Sequence, residues 1–186
     1  MIHFSSDQHY SHKNICRFTG RPFESIELMN RMLIEYHNAV VQPTDIVYYL
    51  GDFAFCPIDK IKSIMNQLNG TKFFCAGNHD KELLKNRQQL IDGGYFKDIR
   101  ERIEINYEGQ FIVLNHYGMR VWNKSHYDSW HLFGHSHNSL PPFGKSVDVG
   151  VDSTWVTGKA EYRPFSFNDI KRFMDKQKPV VVDPPR

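Results

Sequence analysis

The chain has 186 residues, of which 40% are hydrophobic and 24% charged, and 23 Lys and Arg against 21 Asp and Glu give a net charge of +2. This length suffices for one domain that buries roughly two-thirds of the surface of the unfolded chain. The composition excludes a disordered chain, and no apolar run approaches the roughly 20 residues that cross a bilayer. The near-neutral charge argues against a protein that coats nucleic acid, although it does not exclude a local basic patch.

The N-terminus and the cysteines indicate the compartment. Residues 1–7 lack the basic region and the long apolar stretch of a secretory signal. Cys16, Cys56 and Cys75 are an odd number without a CxxC pair, which suits a reducing environment. We therefore expect a cytoplasmic protein without membrane association.

Strands and helices are predicted to alternate along the first half of the chain. Short apolar runs with the length of buried strands are 2–6, 45–50, 72–76, 111–115 and 130–133. Helices are predicted from the N-cap Ser25 to Val40, from Pro57 to about 68, over 81–91, and from Ser166, with a capping box to Asp169, to about 176. Residues 103–107 and 111–114 indicate a hairpin through Glu108-Gly109. This order predicts an α/β fold in which both faces of a sheet are covered.

The chain shows no internal repeat and no linker that would divide it. Residues 1–177 are therefore predicted to form a single domain, and 178–186, which contain three prolines, are predicted to form a C-terminal tail. The sequence predicts no oligomeric state.

Five polar motifs stand at the ends of the five apolar runs. They are Asp7-Gln8-His9, Gly51-Asp52, Gly77-Asn78-His79-Asp80, Asn115-His116 and Gly134-His135-Ser136-His137. Residues two apart in an extended chain project to the same face, so Asp7 with His9, and His135 with His137, can each point into one cleft. Because open α/β sheets gather ligands at the carboxyl ends of their strands, we expect the five motifs to converge there.

The converging side chains offer two carboxylates, one amide oxygen and four imidazoles: Asp7, Asp52, Asn78, His9, His116, His135 and His137. Seven ligands exceed what one ion needs if it keeps a place for water, so two ions that share a carboxylate are the economical interpretation. Two divalent ions outweigh two carboxylates, which leaves positive charge to attract a phosphoryl group. Oxygen and nitrogen ligands suit Mn²⁺, Fe, Zn²⁺, Co²⁺ or Ni²⁺, and we favour Mn²⁺ for activity in vitro. The alternative is a set of hydrogen-bonded polar residues at strand ends.

Taken in order, the motifs D-x-H, G-D, G-N-H-D, N-H and G-H-x-H resemble those of the calcineurin-like metallophosphoesterase superfamily, from Asp7 to His137. The resemblance implies a four-layer α/β/β/α sandwich that holds a dinuclear metal centre. It implies that Asp7, His9 and His137 bind one ion, that Asn78, His116 and His135 bind the other, and that Asp52 bridges them. It also implies that His79 is not a ligand but lies over the leaving group.

The mechanism expected for such a site is hydrolysis of a phosphoester. A hydroxide that bridges the ions would attack phosphorus in line with the departing oxygen, and His79 would donate a proton to that oxygen. Asp52 and His79 are therefore the predicted catalytic residues.

The substrate class is narrowed by what the chain lacks. Gly51-Asp52 is followed by Phe53-Ala54-Phe55, whereas protein Ser/Thr phosphatases have an acidic and arginine-containing continuation, which argues against protein dephosphorylation. The chain has no long insertion of the kind found in large nuclease assemblies, which argues against that class. His79 favours diesters, because alkoxide leaving groups benefit most from a proton donor. The prediction is a compact bacterial or phage-type hydrolase of small phosphodiesters, with nucleotides as candidate substrates. A phosphomonoesterase, a nuclease acting on nucleic-acid ends and a non-catalytic metal-binding scaffold are the alternatives, and retention of His79 with every ligand position argues against the scaffold.

Two segments beside the motifs each keep two interpretations. Residues 10–23 carry His12, Asn14, Arg17 and Arg21, which together with Asn78 are the candidate substrate-binding residues, and a solvated basic loop is the alternative. Residues 117–127 could supply an aromatic surface for a nucleobase or sugar, or could cover the core.

The remaining polar residues of interest have structural interpretations. Asp80 is predicted to cap the helix that begins at Lys81, in preference to orienting His79. His3, His37 and His131 are interpreted as ordinary structural or surface histidines.

Overall fold

The computed structural model describes residues 1–180, which form two β-sheets and six α-helices. The strands are β1 (Ile2–Ser5), β2 (Ile46–Tyr49), β3 (Thr71–Cys75), β4 (Asp98–Arg100), β5 (Arg102–Tyr107), β6 (Gln110–Asn115), β7 (Trp130–Phe133), β8 (Ser146–Asp148) and β9 (Phe165–Ser166). The helices are α1 (Ile15–Thr19), α2 (Ile26–Val40), α3 (Ile58–Met65), α4 (Lys81–Lys85), α5 (Arg87–Asp92) and α6 (Phe167–Met174). Within residues 1–180, no helix combines the length and the apolar character that crossing a membrane requires.

Parallel pairing directs the ends of the central strands toward one region. The first sheet has the order β4-β3-β2-β1-β9, in which β1 to β4 are parallel and β9 is antiparallel. The second sheet has the order β5-β6-β7-β8, in which β5 and β6 form the expected hairpin and β6, β7 and β8 are parallel. Val151 N donates to Ser6 O at 3.0 Å, which ties the end of β1 to the chain that follows β8.

The first sheet lies between helices and the second sheet. Val47 and Tyr49 of β2 belong to a core that includes Met29 of α2, whereas Tyr48 and Leu50 belong to a core shared with the second sheet. This alternation follows from the two-residue period of a strand. Both faces of the first sheet are thus covered, and the predicted α/β class is confirmed.

The outer face of the second sheet is covered by a loop. The Trp122 ring lies 5.6 Å from the His131 ring, and the Lys124 ammonium lies 4.3 Å from the centre of the Phe111 ring. The helical part of this loop is one 3-10 turn, Ser125–Tyr127. Helix α6 instead packs into the core shared by the two sheets. The fourth layer of the sandwich is therefore not confirmed, and Trp122 favours the core-covering interpretation of 117–127.

The longer helices follow their sequence signals. Ser25 Oγ accepts from Leu28 N at 3.1 Å and caps α2 as predicted, and Ser166 forms the predicted capping box with Asp169 at the start of α6. The single helix predicted over 81–91 is wrong. Asn86 interrupts it, with ψ of 18°, and the chain forms α4 and α5 instead.

Four short elements were missed. Strands β4, β8 and β9 have two or three residues each, and α1 has five, so each is too short to show a repeating apolar pattern. The single domain over 1–177 stays a prediction. Residues 181–186 of the predicted tail lie outside the described residues.

Candidate metal centre

Five of the seven predicted ligands stand on backbone in the left-handed region. Asp7, His9, Asp52, His135 and His137 have φ between 45° and 67°. Non-glycine residues adopt this region rarely, and such strain clusters at functional sites where the surrounding structure enforces it. The extended backbone that we expected around Asp7/His9 and His135/His137 is therefore wrong, and the side chains enter one cleft from tight turns.

The loops after β1 and β2 are joined to each other. Asp7 N donates to Gly51 O, and His9 N donates to Asp52 O, both at 3.0 Å. Backbone hydrogen bonds of this kind hold the two loops in register and hold the strained residues in place. Asp7, His9 and Asp52 are thereby fixed relative to one another.

Two glycines are required by close approach to the ligands. A methyl group at Gly134 would lie 2.5 Å from Asp7 Oδ2, and one at Gly77 would collide with the Asp52 carboxylate. A real Cβ atom does not approach an oxygen this closely. The requirement at Gly77 and Gly134 is therefore space beside the carboxylates.

Asp7, His9 and His137 form a first candidate metal group, in which one ligand atom of each lies within 4.8 Å of the others. His9 Nε2 is 3.2 Å from His137 Nε2 and 4.0 Å from Asp7 Oδ1. These are the three residues that the resemblance assigns to one ion.

Asp52, His116 and His135 form a second candidate metal group by the same distance. Asn78 Oδ1 lies beside it, 3.0 Å from His116 Nε2. His116 Nδ1 lies 2.7 Å from Leu50 O and donates to it, which leaves Nε2 with a free lone pair toward the group. The structure therefore places Asn78 where the sequence predicted a ligand.

Asp52 belongs to the second group and also lies beside the first. Its Oδ2 atom is 3.7 Å from His9 Nε2 of the first group and 3.6 Å from His116 Nε2 of the second. One carboxylate oxygen thus faces imidazole nitrogens from both groups, as a bridging ligand requires.

The electrostatics of the first group fit a cation. Asp7 is fully buried, and its Oδ1 atom has no hydrogen-bond partner among the described residues. Burial, with the charges of Asp148 and Asp52 nearby, raises the pKa of Asp7 well above its usual value. Burial, followed by the effect of His137, lowers the pKa of His9 to about 2, so its ring is neutral and can offer a lone pair. A buried carboxylate oxygen and neutral imidazoles at these distances are a donor set that divalent metals bind.

His79 lies beside the groups without belonging to either. Its ring is exposed, 5.9 Å from the His9 ring and 4.9 Å from the Phe55 ring. Its backbone N donates to Asp52 Oδ1 at 3.0 Å, which fixes where the side chain begins. The location is open to solvent and adjacent to the ligands, as expected for a group that meets substrate.

Asp80 does not cap α4. Its carboxylate accepts from Asp52 N at 2.7 Å, from Phe53 N at 2.9 Å and from Gly77 N at 2.7 Å, and it makes no side-chain hydrogen bond to the helix that follows. The prediction of a helix cap is therefore wrong, because these buried backbone donors have no other partner within reach. Asp80 fixes the loop that carries Asp52.

Arg21 does not line the cleft. Its side chain is buried and forms two hydrogen bonds of 2.7 Å to Asp152, with Nη1 donating to Gln8 O at 2.8 Å and Nη2 to Asp7 O at 2.7 Å. The prediction that Arg21 binds substrate is corrected by this geometry. Arg21 supports the Asp7 loop through its hydrogen bonds to the backbone carbonyls of Asp7 and Gln8.

The other substrate-binding candidates differ in position. His12 lines a cavity next to His9, and its ring lies 4.2 Å from the Phe55 ring. Asn14 and Arg17 are exposed at α1, and their binding to substrate stays a prediction. The interpretation of His3, His37 and His131 as structural is confirmed, since all three are buried with hydrogen-bond partners.

Two buried carboxylates beside the site were missed by the sequence analysis. Asp148 accepts from Gly150 N at 2.7 Å, and Asp152 binds Arg21 and His137. Burial raises the pKa of Asp148, whereas hydrogen bonds from His137 and Arg21 outweigh burial and lower the pKa of Asp152. The sequence carried a signal for both acids, because they alternate with valines and a glycine in the segment S-V-D-V-G-V-D.

Comparison with known proteins gives relatives along nearly the whole chain. The uncharacterized protein MJ1445 of Methanocaldococcus jannaschii is 31% identical over 188 aligned positions, covering 96% of this chain and 94% of its own length. The crystal structure of the protein of unknown function AQ665 from Aquifex aeolicus is similar with a TM-score of 0.68 and 25% identity, covering 92% of this chain and 98% of that one. No family model matches the chain.

Two further solved structures are similar at lower TM-scores. A novel archaeal phosphodiesterase matches with a TM-score of 0.48 and 19% identity over 84% of this chain and 87% of its own. Yfce, a phosphoesterase from E. coli, matches with a TM-score of 0.44 and 17% identity over 82% of this chain and 79% of its own. The relationship that decides membership is the sequence identity over nearly the full length: the chain belongs to the same family as MJ1445.

Proposed function

We propose that this protein is a dinuclear metal-dependent phosphoesterase that hydrolyses small phosphodiesters. The observation that carries the proposal is the position of Asp52, whose Oδ2 atom is 3.7 Å from His9 Nε2 and 3.6 Å from His116 Nε2. A carboxylate of the second group that also lies beside an imidazole of the first is what a pair of divalent ions requires. The proposal includes membership of the metallophosphoesterases of α/β/β/α type, which the motif order supports.

The first ion would be held by Asp7, His9 and His137, and the second by Asn78, His116 and His135, with Asp52 shared. When bound, two divalent ions supply Lewis acidity that lowers the pKa of a water and neutralises charge on the phosphoryl oxygens. Mn²⁺ is the preferred candidate, and the nitrogen and oxygen donors also suit Fe, Zn²⁺, Ni²⁺ or Co²⁺.

The residues of the chain divide the remaining work. Backbone hydrogen bonds between the Asp7 and Asp52 loops hold the ligands before substrate arrives, which lowers the reorganisation needed for the reaction. His79 protonates the leaving oxygen as its bond to phosphorus breaks, and the oxygen of water forms the new bond. A positioned general acid typically contributes about 10²–10⁴-fold. Because alkoxides need that proton most, His79 supports diesters over activated monoesters.

The test combines metal content with hydrolysis. Metal-stripped protein is refilled with Mn²⁺, bound ions are counted, and turnover of bis(4-nitrophenyl) phosphate is compared with that of 4-nitrophenyl phosphate. We expect two ions per chain and diester turnover that requires the metal. Asp52→Asn is expected to abolish turnover, and the control Asp59→Asn, the same change at an exposed position of α3, is expected to retain it.

Each other outcome identifies an alternative. Faster turnover of the monoester would establish a phosphomonoesterase. Salt-dependent binding and cleavage of oligonucleotide ends would establish a nuclease. Two bound ions without turnover of any ester, with Mn²⁺ or the other four metals, would establish a non-catalytic scaffold.

A further inference from the structure

A cavity of about 560 Å³ opens on the side of the first metal group where His79 lies. Its lining includes His9, His79 and His137 together with the apolar side chains of Ile15, Phe18 and Phe55. If His79 protonates the leaving oxygen, the group attached to that oxygen occupies this cavity. The character of the walls then determines which leaving group fits.

Among the described residues, the cavity is lined by no Asp, Glu, Lys or Arg, and Thr19, Ser136 and Ser139 supply hydroxyl groups. Arg17 is not part of this lining, although its guanidinium carbon lies 5.3 Å from the centre of the Phe18 ring. The lining therefore offers ring faces and hydroxyl groups to a leaving group.

Aromatic rings form one side of the cavity. The Phe55 ring lies 4.2 Å from the His12 ring, 4.9 Å from the His79 ring and 5.2 Å from the His9 ring. Phe55 therefore connects the proposed proton donor with the first metal group through ring contacts. A flat group placed beside His79 meets an aromatic face.

Phe18 is the most exposed residue of this wall. It is 63% exposed although it belongs to a short helix whose Ile15 is buried. Its ring lies 6.0 Å from the His12 ring, at the edge of the cavity. Folding gains little from an exposed phenylalanine, whereas a ring at the mouth of this cavity offers a stacking surface to a ligand.

The cavity on the other side of the site has a different character. It has a volume of about 360 Å³, and Asn78 and Tyr117 line it together with Arg87, Arg100 and Glu101. The Tyr117 ring lies 4.8 Å from the His135 ring of the second metal group. The two metal groups are thus flanked by one aromatic cavity and one that carries guanidinium and carboxylate groups.

We propose that the leaving group of the diester is an alcohol with a flat ring, a phenol or a nucleoside, which stacks on Phe18 and Phe55 beside His79. Phe18 is the specificity residue of this cavity because its ring contacts the leaving group without contacting the metal ligands. The inference rests on the proposed phosphodiesterase function and adds the class of leaving group and its location.

The test uses two diesters that share the leaving group. Bis(4-nitrophenyl) phosphate and methyl 4-nitrophenyl phosphate both release 4-nitrophenol but retain different groups on phosphorus. For the Mn²⁺-loaded protein, Phe18→Ala is expected to raise KM at least about tenfold for both esters and to leave kcat within about twofold, because the lost contact is equal in ground and transition states. Phe18→Trp is expected to restore KM. Tyr127→Ala, at a side chain that is 75% exposed and not among the cavity residues, is the matched control.

The outcomes separate the inference from the function on which it rests. Hydrolysis with an unchanged KM in Phe18→Ala, or a raised KM for the bis-aryl ester alone, overturns the inference and leaves the phosphodiesterase in place. Absence of hydrolysis of both esters by the wild-type protein overturns the proposed function and the inference together.

Discussion

The carboxylate of Asp152 accepts a hydrogen bond of 2.7 Å from Nδ1 of His137. The same carboxylate is held by Nε and Nη2 of Arg21, each at 2.7 Å. Because Nδ1 of His137 carries the proton of this hydrogen bond, Nε2 keeps its lone pair. Nε2 of His137 lies 3.2 Å from Nε2 of His9. The buried Arg21–Asp152 pair therefore sets both the tautomer and the direction of one predicted metal ligand.

Asp152→Asn is expected to weaken the binding of one of two Mn²⁺ ions by about 10–100-fold, which is the usual effect of losing the partner of a metal-binding histidine. Calorimetric titration of the metal-stripped protein measures this directly. The second ion, held away from His137, is expected to bind as before. Asp98→Asn is the matched control, since Asp98 also pairs with an arginine, Arg100 at 2.5 Å, in the first sheet.

The substitution also leaves the Arg21 charge without its partner, which destabilises a protein by about 3–5 kcal/mol when the charge is buried. The double variant Arg21→Met/Asp152→Asn removes that charge and keeps the measurement possible if the single variant unfolds. Unchanged affinity for both ions in a folded variant would show that Asp152 does not orient His137.

Asp80→Ala is expected to destabilise the fold by about 3 kcal/mol or more and to abolish turnover. Three backbone N–H groups, those of Asp52, Phe53 and Gly77, lose their acceptor, and an unsatisfied buried donor costs about 1–3 kcal/mol. Urea unfolding measures the change. Asp92→Ala at the exposed end of α5 is the control and is expected to change stability by no more than about 0.5 kcal/mol. A loss as small as that of the control would show that water replaces the Asp80 carboxylate.

The ligand groups could be predicted from the sequence because the ligands stand in five short motifs at strand ends. The short apolar run at 45–50 likewise predicted a buried strand, and β2 (Ile46–Tyr49) lies there. The support of the ligands could not be predicted, because it depends on contacts between distant positions. Arg21 reaches Asp152 across 131 positions, so the basic residues around it predicted a substrate-binding loop instead.

Local preference was also misleading where tertiary contacts were stronger. Asp80 precedes a helix and has a side chain suited to capping. Its carboxylate instead accepts hydrogen bonds from the buried N–H groups of the Asp52 loop. The left-handed backbone at Asp7 and His9 could not be predicted, since it is imposed by hydrogen bonds to the loop after β2.

His79→Ala is expected to retain both metal ions and to lose most turnover of esters with poor leaving groups. An activated aryl ester, whose leaving group needs no proton, is expected to lose much less. Metal content and kcat for an alkyl and an aryl diester are compared in the same preparations. Equal losses on the two esters would remove the general-acid role, and loss of a metal ion would make His79 a ligand.

The free energy of unfolding is expected to decrease as the pH is lowered from about 6.5 to 4, in part through His37. Its Nε2 donates to Asn69 O at 3.0 Å, its Nδ1 accepts from the Tyr49 hydroxyl at 3.2 Å, and burial lowers the pKa of His37 to about 4. In this interval the unfolded chain binds a proton at His37 and the folded chain does not, so acid favours unfolding, by up to about 3 kcal/mol. The contribution is complete above pH 6.5.

Urea unfolding in the presence of a chelator, at several pH values from 7.5 to 4.5, measures this dependence without metal linkage. His37→Gln keeps a side-chain donor and removes the titration, so its free energy of unfolding is expected to fall less steeply with pH than that of the wild type. Parallel curves for the two proteins would contradict the assignment to His37.

Gly134→Ala is expected to remove one metal ion. The added methyl group would collide with Ser6 Oγ and lie 2.5 Å from Asp7 Oδ2, so Ser6 must shift and the Asp7 carboxylate must leave its position beside His9. In Gly118→Ala, the matched control, the methyl group meets the end of the Leu140 side chain at 2.9 Å, which can turn away. Metal analysis of the folded proteins after dialysis is expected to give one Mn²⁺ for Gly134→Ala and two for the control. Two ions in Gly134→Ala would mean that Asp7 can move without loss of the site, and that the strained backbone at Asp7 is not needed to hold a metal.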